Sequence, residues 1–211
     1  MSQYDYNIIA IGGGAAGLVS SYIAATLNAK VALIEKHKMG GDCLNTGCVP
    51  SKALLRSAKM LFDAGRAQEF GFKNATVDFE FKDVMQRVQN VIKAIEPHDS
   101  RERYTQLGVD CIDGEARITS PHSVLVNGQT LTARAIIVAT GARPMVPPIP
   151  GLDQVGYLTS DNLWSLQALP KKLVVIGGGP IGSELAQAFS RLGAQVTLVE
   201  MAPQILIRED E

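Results

Sequence analysis

Three observations predict an α/β fold. Residues 6–35 and 171–200 each read as an apolar strand, a glycine-rich turn, an amphipathic helix and a second apolar strand ending in an acid. Gly12 to Glu35 and Gly177 to Glu200 share one offset of 23 residues, so the two stretches are an internal repeat of βαβ units of the Rossmann-like kind. Between them, from Val109, short β-rich runs with Asn127-Gly128 as a hairpin turn read as a β-meander.

Each element follows in order. Pro50-Ser51-Lys52 opens a helical pattern through about Gly65, with proline in the first turn, where its missing N–H costs nothing. Val84, Val88, Val91, Ile92 and Ile95 fall at helical spacing within 81–96 and are read as a core-facing stripe. A buried-looking strand, AIIVAT, covers 135–140. The prolines at 144, 147, 148 and 150 exclude helix or central strand and mark a domain boundary. The second repeat reaches Glu200 with 11 residues to go, whereas half of a doubly wound domain needs βαβαβ. The chain is therefore expected to be an N-terminal fragment of a longer protein, with apolar surface exposed near its C-terminal end.

Composition excludes several classes. The 211 residues carry 20 Lys+Arg against 21 Asp+Glu, a net charge of −1 that gives no electrostatic reason to expect nucleic acid or an anionic membrane as partner. A 46% hydrophobic content is too high for a disordered chain. No apolar run approaches the roughly 20 residues of a membrane span, and the N-terminus has no basic leader, so the expected location is the cytoplasm.

The glycines carry the first chemical reading. In Gly12-Gly13-Gly14-Ala15-Ala16-Gly17, the first glycine allows a tight turn, Gly14 admits a pyrophosphate to the backbone, and Gly17 lets helix and strand pack closely. The helix N-terminus offers N–H groups to phosphate, and Glu35 can accept from ribose hydroxyls. Gly177, Gly179, Gly182 and Glu200 repeat the pattern. A carboxylate at Glu200 would repel a 2′-phosphate, which favours NAD over NADP.

Cys43 and Cys48 are the second chemical reading. A disulfide needs Cα atoms within about 7 Å. Five residues apart they would be separated by about 16 Å in an extended chain and about 8–9 Å in a regular helix. A distorted turn through Asn45, Thr46 and Gly47 would bring them close enough. Cys48, just before the helix opened by Pro50, would have the helix dipole and Lys52 favouring its thiolate. A zinc site with His37, or two unrelated buried thiols, stay open as alternatives. Cys111 is read as a core thiol, and His37, His98 and His122 are assigned no role.

The segment GGDCLNTGCVPSK (40–52), following a βαβ glycine loop, resembles the flavin-dependent pyridine nucleotide–disulfide oxidoreductases, which include dihydrolipoamide dehydrogenase, glutathione reductase and mercuric reductase. The resemblance runs through ATGARP (139–144) and the second glycine loop, and so covers essentially the whole chain. Asp42, where the first two usually carry Thr, and the stretch EPHDSRERYTQLGVD (96–110) look most like the mercuric-reductase-like branch.

The resemblance implies an FAD-binding Rossmann-like βαβ domain with a β-meander (1–143) and the beginning of a Rossmann-like NAD-binding domain (144–211). FAD would lie against Gly12, Gly14, Ala15, Ala16, Gly17, Glu35, Lys36, Gly41, Asp42, Lys52, Ala116, Thr140, Gly141 and Ala142. NAD would lie against Gly177, Gly179, Ile181, Gly182, Glu184 and Glu200. By the same likeness Cys48 is the thiol beside the flavin and Cys43 the thiol that attacks the substrate. Lys52 stabilises the reduced flavin, and Glu184 pairs with Lys52 in an ion pair joining the two domains. The implied reaction passes electrons from NAD(P)H through FAD to the cysteine pair and on to a small-molecule disulfide, a protein-bound disulfide or Hg(II). The implied full-length protein is a homodimer whose interface domain lies beyond Glu211, so the chain alone is expected to be catalytically incomplete. The alternatives are a mercuric reductase specifically, a nucleotide-binding module without dithiol turnover, and a zinc-binding regulator.

Overall fold

A computed structural model describes residues 3–209. The chain divides into two compact units, Met1–Cys48 with Ile92–Tyr157, and Val49–Val91 with Leu158–Glu211.

In the first unit, β1 (Tyr6–Ile11), α1 (Ala15–Thr26) and β2 (Val31–Glu35) form the first βαβ repeat. A short helix, α2 (Gly41–Asn45), follows β2. Further on come α5 (Arg101–Gln106), β3 (Val109–Asp113), β4 (Arg117–Ser120), β5 (Ser123–Val126) and β6 (Gln129–Val138). The strands make one six-stranded sheet in the order β3-β2-β1-β6-β5-β4. Its first four strands are parallel, and β5 and β4 run antiparallel as the predicted meander. Ile9, Ile11, Ala32 and Ile34 pack with Val124, Val126, Leu131 and Ala133, whereas Ala10, Val31 and Leu33 pack with Leu18 and Ala24 of α1 and with Tyr104. Because both strand faces are covered, these segments read as continuous apolar runs rather than alternating ones.

Two expectations are corrected in detail, and one helix is new. The strand predicted over 135–140 ends at Val138 and begins at Gln129, because one strand serves two ladders. Its first four residues pair antiparallel with β5, and from Ala133 it pairs parallel with β1. Val109–Asp113 belongs to the edge of the parallel sheet and not to the meander. The six-residue helix α5, capped by Ser100 Oγ accepting from Arg103 N at 3.2 Å, has no counterpart in the sequence reading. The hairpin at Asn127-Gly128 is present, with φ of +50° and +78°, the left-handed pair that a two-residue turn demands.

The second unit holds most of α3 (Cys48–Gly65) and α4 (Phe81–Ile95), with β7 (Lys172–Ile176), α6 (Pro180–Arg191) and β8 (Gln195–Val199) forming the second repeat. Strands β7 and β8 pair in parallel. Phe81 packs on Phe189 with ring centroids 6.0 Å apart, and Arg87 Nη1 donates to the Ala53 carbonyl at 2.8 Å. Of the predicted α4 stripe, Val88 is fully buried; Phe81 and Met85 join it on that face. Among the described residues no helix is long and apolar enough to cross a membrane.

Gly12 stands at φ +111°, and a methyl group there would overlap the Ala139 carbonyl oxygen. Gly65, at the end of α3, has nothing within 4 Å of such a methyl. Gly12→Ala is therefore expected to cost about 3 kcal/mol or more through overpacking and backbone strain, while Gly65→Ala leaves stability unchanged or raises it by about 0.5 kcal/mol. Urea denaturation of the two variants checks the contrast.

Candidate active site

The first glycine loop is fastened from several directions. Gly12 N–H donates to the Ile34 carbonyl at 2.8 Å. Glu35 Oε2 accepts from Gly13 N–H at 2.6 Å, and its other oxygen accepts from His37 N–H at 2.6 Å. A methyl on Gly17 would overlap the Gly12 carbonyl oxygen, so helix and loop touch backbone to backbone. Helix α1 has no acid in its first turn. The amides of Ala15, Ala16 and Gly17, which lack intrahelical acceptors at a helix start, give this end the character of an anion site.

The chain after Glu35 is tied back onto this loop. Gly40 N–H donates to the Gly13 carbonyl at 2.8 Å, and a methyl on Gly41 would sit 2.5 Å from Gly14 Cα. Helix α2 thus starts on the glycine loop, anchored by the buried side chain of Leu44. Asp42 Oδ2 lies 3.9 Å from the position of a Gly141 Cβ, which brings together three predicted residues, Gly41, Asp42 and Gly141. Thr140 and Ala142 flank Gly141 in the irregular segment after β6, where Gly141 has φ +69°. Lys36 is exposed and pairs with Glu115 at 2.9 Å, beside Ala116.

The two cysteines occupy consecutive helical segments. Cys43 lies in α2, the chain breaks at Thr46 and Gly47, and Cys48 is the first residue of α3. The helix therefore opens two residues earlier than Pro50, with Cys48 inside its first turn; proline at the third position still needs no N–H partner. Neither is in a disulfide; Cys48 is exposed and Cys43 partly buried. Cys43 is pushed up to about 11, first because its S–H bonds to Cys48, then by burial and by the charges of Cys48 and Asp99. Cys43 thus keeps its proton and donates it toward Cys48. The Asp99 charge acting on Cys43 is an influence that sequence reasoning missed; nothing in local spacing connects the two. Cys111 is half-buried against the core, its S–H directed at the Arg101 carbonyl at 3.9 Å, and burial raises its pKa. Among the described residues no group of three or more His, Cys, Asp or Glu side chains could hold a metal ion.

In the second unit the loop is fastened in the same manner. Gly177 N–H donates to the Val199 carbonyl at 2.8 Å, Glu200 Oε2 accepts from Gly178 N–H at 2.6 Å, and a methyl on Gly182 would overlap the Gly177 carbonyl oxygen. Methyls at Gly177 or Gly179 would meet nothing within 4 Å, so this loop presents an open face. Ile181, on the first turn of α6, is exposed. Backbone N–H groups of Ala202 and Gly178 hold the Glu200 carboxyl below its ordinary pKa. Lys52 Nζ meets both oxygens of Glu184, at 2.6 and 2.7 Å, and the two side chains are 62% and 38% exposed. The predicted pairing is present, and it lies within this one unit.

Two outcomes follow from these geometries. Cys48→Ala removes the main cause of the raised Cys43 pKa, so the Cys43 alkylation rate should rise with pH around the ordinary thiol value instead of near 11. Peptide mapping after iodoacetamide treatment across pH, in both proteins, checks this. Glu184→Gln, which breaks an exposed pair, should change stability by less than about 1 kcal/mol, read from chemical denaturation.

Residues 6–211 match the Pyridine nucleotide-disulphide oxidoreductase family. The chain is 39% identical over 212 residues to a mercuric reductase of Bacillus cereus, covering 99% of this chain and 33% of that protein. It is 38% identical over 212 residues to a dihydrolipoyl dehydrogenase of Acholeplasma laidlawii, covering 98% and 63%. The solved HOCl-induced flavoprotein disulfide reductase RclA from Escherichia coli superimposes with a TM-score of 0.82 at 33% identity, over 98% of this chain and 44% of that one. The chain thus spans from a third to just under two thirds of the length of these relatives. With its family match running through both βαβ repeats and the dithiol turn, the chain belongs to the pyridine nucleotide-disulphide oxidoreductases.

Proposed function

We propose that this chain carries the flavin and dithiol part of an oxidoreductase that moves electrons from NAD(P)H through FAD to Cys43 and Cys48, and on to an acceptor. The observation that carries the reading is the placement of Cys43 in α2 and Cys48 at the start of α3, on a turn seated against the first glycine loop. FAD is assigned to the 1–143 part and the nicotinamide nucleotide to the 144–211 part. The Gly12–Gly17 loop fits a dinucleotide because its helix end has unpaired amides and no acid. When bound, the flavin supplies hydride acceptance and two-electron storage; the protein supplies position and thiol acidity.

In this reading Glu35 and Lys36 face the adenosine end, with Ala116. Gly41, Asp42, Thr140, Gly141 and Ala142 line the path toward the dithiol. Lys52, oriented by Glu184, offsets negative charge on the reduced flavin. Two electrons and two protons convert a Cys43–Cys48 disulfide into the two free thiols. After Cys43 loses its proton, it attacks an acceptor disulfide, releasing one thiol and leaving a mixed disulfide. Cys48 then attacks the Cys43 sulfur, expels the second thiol and restores the internal disulfide. The balance is NAD(P)H + H⁺ + RSSR → NAD(P)⁺ + 2 RSH. The Glu200 carboxylate, kept ionised by backbone amides, favours NADH over NADPH by repelling a 2′-phosphate. A metal-ion acceptor, Hg(II) in particular, is the second reading, supported by the relatives named mercuric reductase and by a solved RclA structure described as a Cu(II) complex. The assembled protein is read as a cytoplasmic homodimer.

Anaerobic titration of the FAD-loaded protein with NADH tests the reading. A long-wavelength absorbance band from the Cys48 thiolate against the flavin is expected at two electrons per flavin. Cys48→Ala abolishes it; Cys43→Ser, which has no disulfide to take the two electrons, shows the band before reduction and loses it at two electrons per flavin. NADH oxidation with no such band in the unaltered protein would favour a nucleotide-binding module without dithiol turnover.

A further inference from the structure

The two repeats share a clamp that the glycine motif does not include. In the first, Gly13 gives its N–H to Glu35 and accepts from Gly40 N–H on its carbonyl, while Met39 Sδ stands 3.0 Å from the position of a Gly13 Cβ. In the second, Gly178 gives its N–H to Glu200 and accepts from Leu206 N–H at 2.8 Å, while Ile205 Cβ stands 3.2 Å from the position of a Gly178 Cβ. Gly13 corresponds to Gly178, Glu35 to Glu200, Met39 to Ile205 and Gly40 to Leu206. The segment 201–209 is thus a strap on the second loop, as 36–41 is on the first.

The backbone of the strap carries a cost that the first does not. Gly40 has φ +86° and Leu206 has φ +55°. Glycine takes the left-handed region freely, whereas a leucine there is held against its own preference. Three bonds hold it: Ala202 N–H to Glu200 Oε1 at 2.8 Å, Leu206 N–H to the Gly178 carbonyl, and Glu209 N–H to the Leu206 carbonyl at 2.8 Å.

We propose that Leu206 is a positioning residue for the nicotinamide nucleotide: its N–H fixes the Gly178 carbonyl while Glu200 fixes the Gly178 N–H, so the amides at the start of α6 are presented to the pyrophosphate in one orientation. This rests on the reading of the second loop as the nucleotide site. Leu206 acts through the loop and touches no reacting atom.

Calorimetric titration of the purified chain with NADH, alongside hydrogen exchange of the peptides spanning 8–17 and 173–182, tests it. Leu206→Pro removes the N–H and forbids the positive φ; about tenfold weaker binding is expected, equivalent to about 1.4 kcal/mol. Leu206→Gly keeps the N–H and frees the backbone, and should bind at least as tightly as the unaltered chain. Leu206→Val keeps the N–H but disfavours the left-handed region further, and should fall between the unaltered chain and the proline variant. The Val variant keeps the test decisive if the proline variant does not fold. Exchange should quicken in 173–182 and stay unchanged in 8–17. Equal affinity across the Gly, Leu and Val series overturns the proposal while leaving the nucleotide site standing. No NADH binding by the unaltered chain overturns that reading and the proposal with it.

Discussion

In both repeats the carboxylate at the end of the second strand or one residue past it takes the N–H of the middle glycine, Glu35 from Gly13 and Glu200 from Gly178, each at 2.6 Å. A hydrogen bond to an ionised acceptor is about twice as strong as a neutral one, and each carboxylate holds a second backbone N–H just beyond its own strand. One side chain therefore sets both the shape of the glycine loop and the direction in which the chain leaves the sheet. The open helix end, the seat of α2 and the placement of the strap after β8 all depend on that choice of direction. The acid commonly read only as a ribose acceptor has a structural duty before any ligand arrives, and it still has unused lone pairs to offer.

The dithiol inherits its geometry from this arrangement. Gly40 on the Gly13 carbonyl and Gly41 against Gly14 leave no room for side chains, so α2 begins at a fixed point, and Thr46 and Gly47 break the helix before α3. The break is what allows two sulfurs five residues apart to share a proton. The thiol that donates, Cys43, is hard to ionise, its pKa pushed up to about 11. Two identical residues thus stand in different surroundings, Cys43 partly buried and Cys48 exposed.

Much of the fold was legible because its signals are local. Continuous apolar runs announced strands buried on both faces, the two 23-residue offsets announced the repeat, and Asn127-Gly128 announced the hairpin. What was not legible depends on partners distant in sequence. The alternation of β6 is the same whether it pairs with β5 or with β1, so the change of ladder at Ala133 leaves no trace in the pattern. Helix α5 is too short to establish a period, and only its Ser100 cap could have signalled it. The Lys52–Glu184 pair, 132 residues apart, came from resemblance, and Asp99 beside Cys43 came from neither pattern nor resemblance.

The repeat also separates what the βαβ unit must conserve from what it is free to vary. The strand-to-loop bond, the carboxylate on the middle glycine and the backbone contact at the third glycine are the same in both units, since these hold the loop together. The straps diverge. One continues through two left-handed glycines into a helix with a cysteine; the other passes through a left-handed leucine and ends its turn at Glu209. A fold supplies a site, and the residues grafted beside it supply the chemistry. Here the graft is the strap, one residue longer in the second unit between the acid and the bond to the middle glycine. The same scaffold can therefore hold a pair of cysteines against one glycine loop and leave the other with an open face, without altering the clamp common to both.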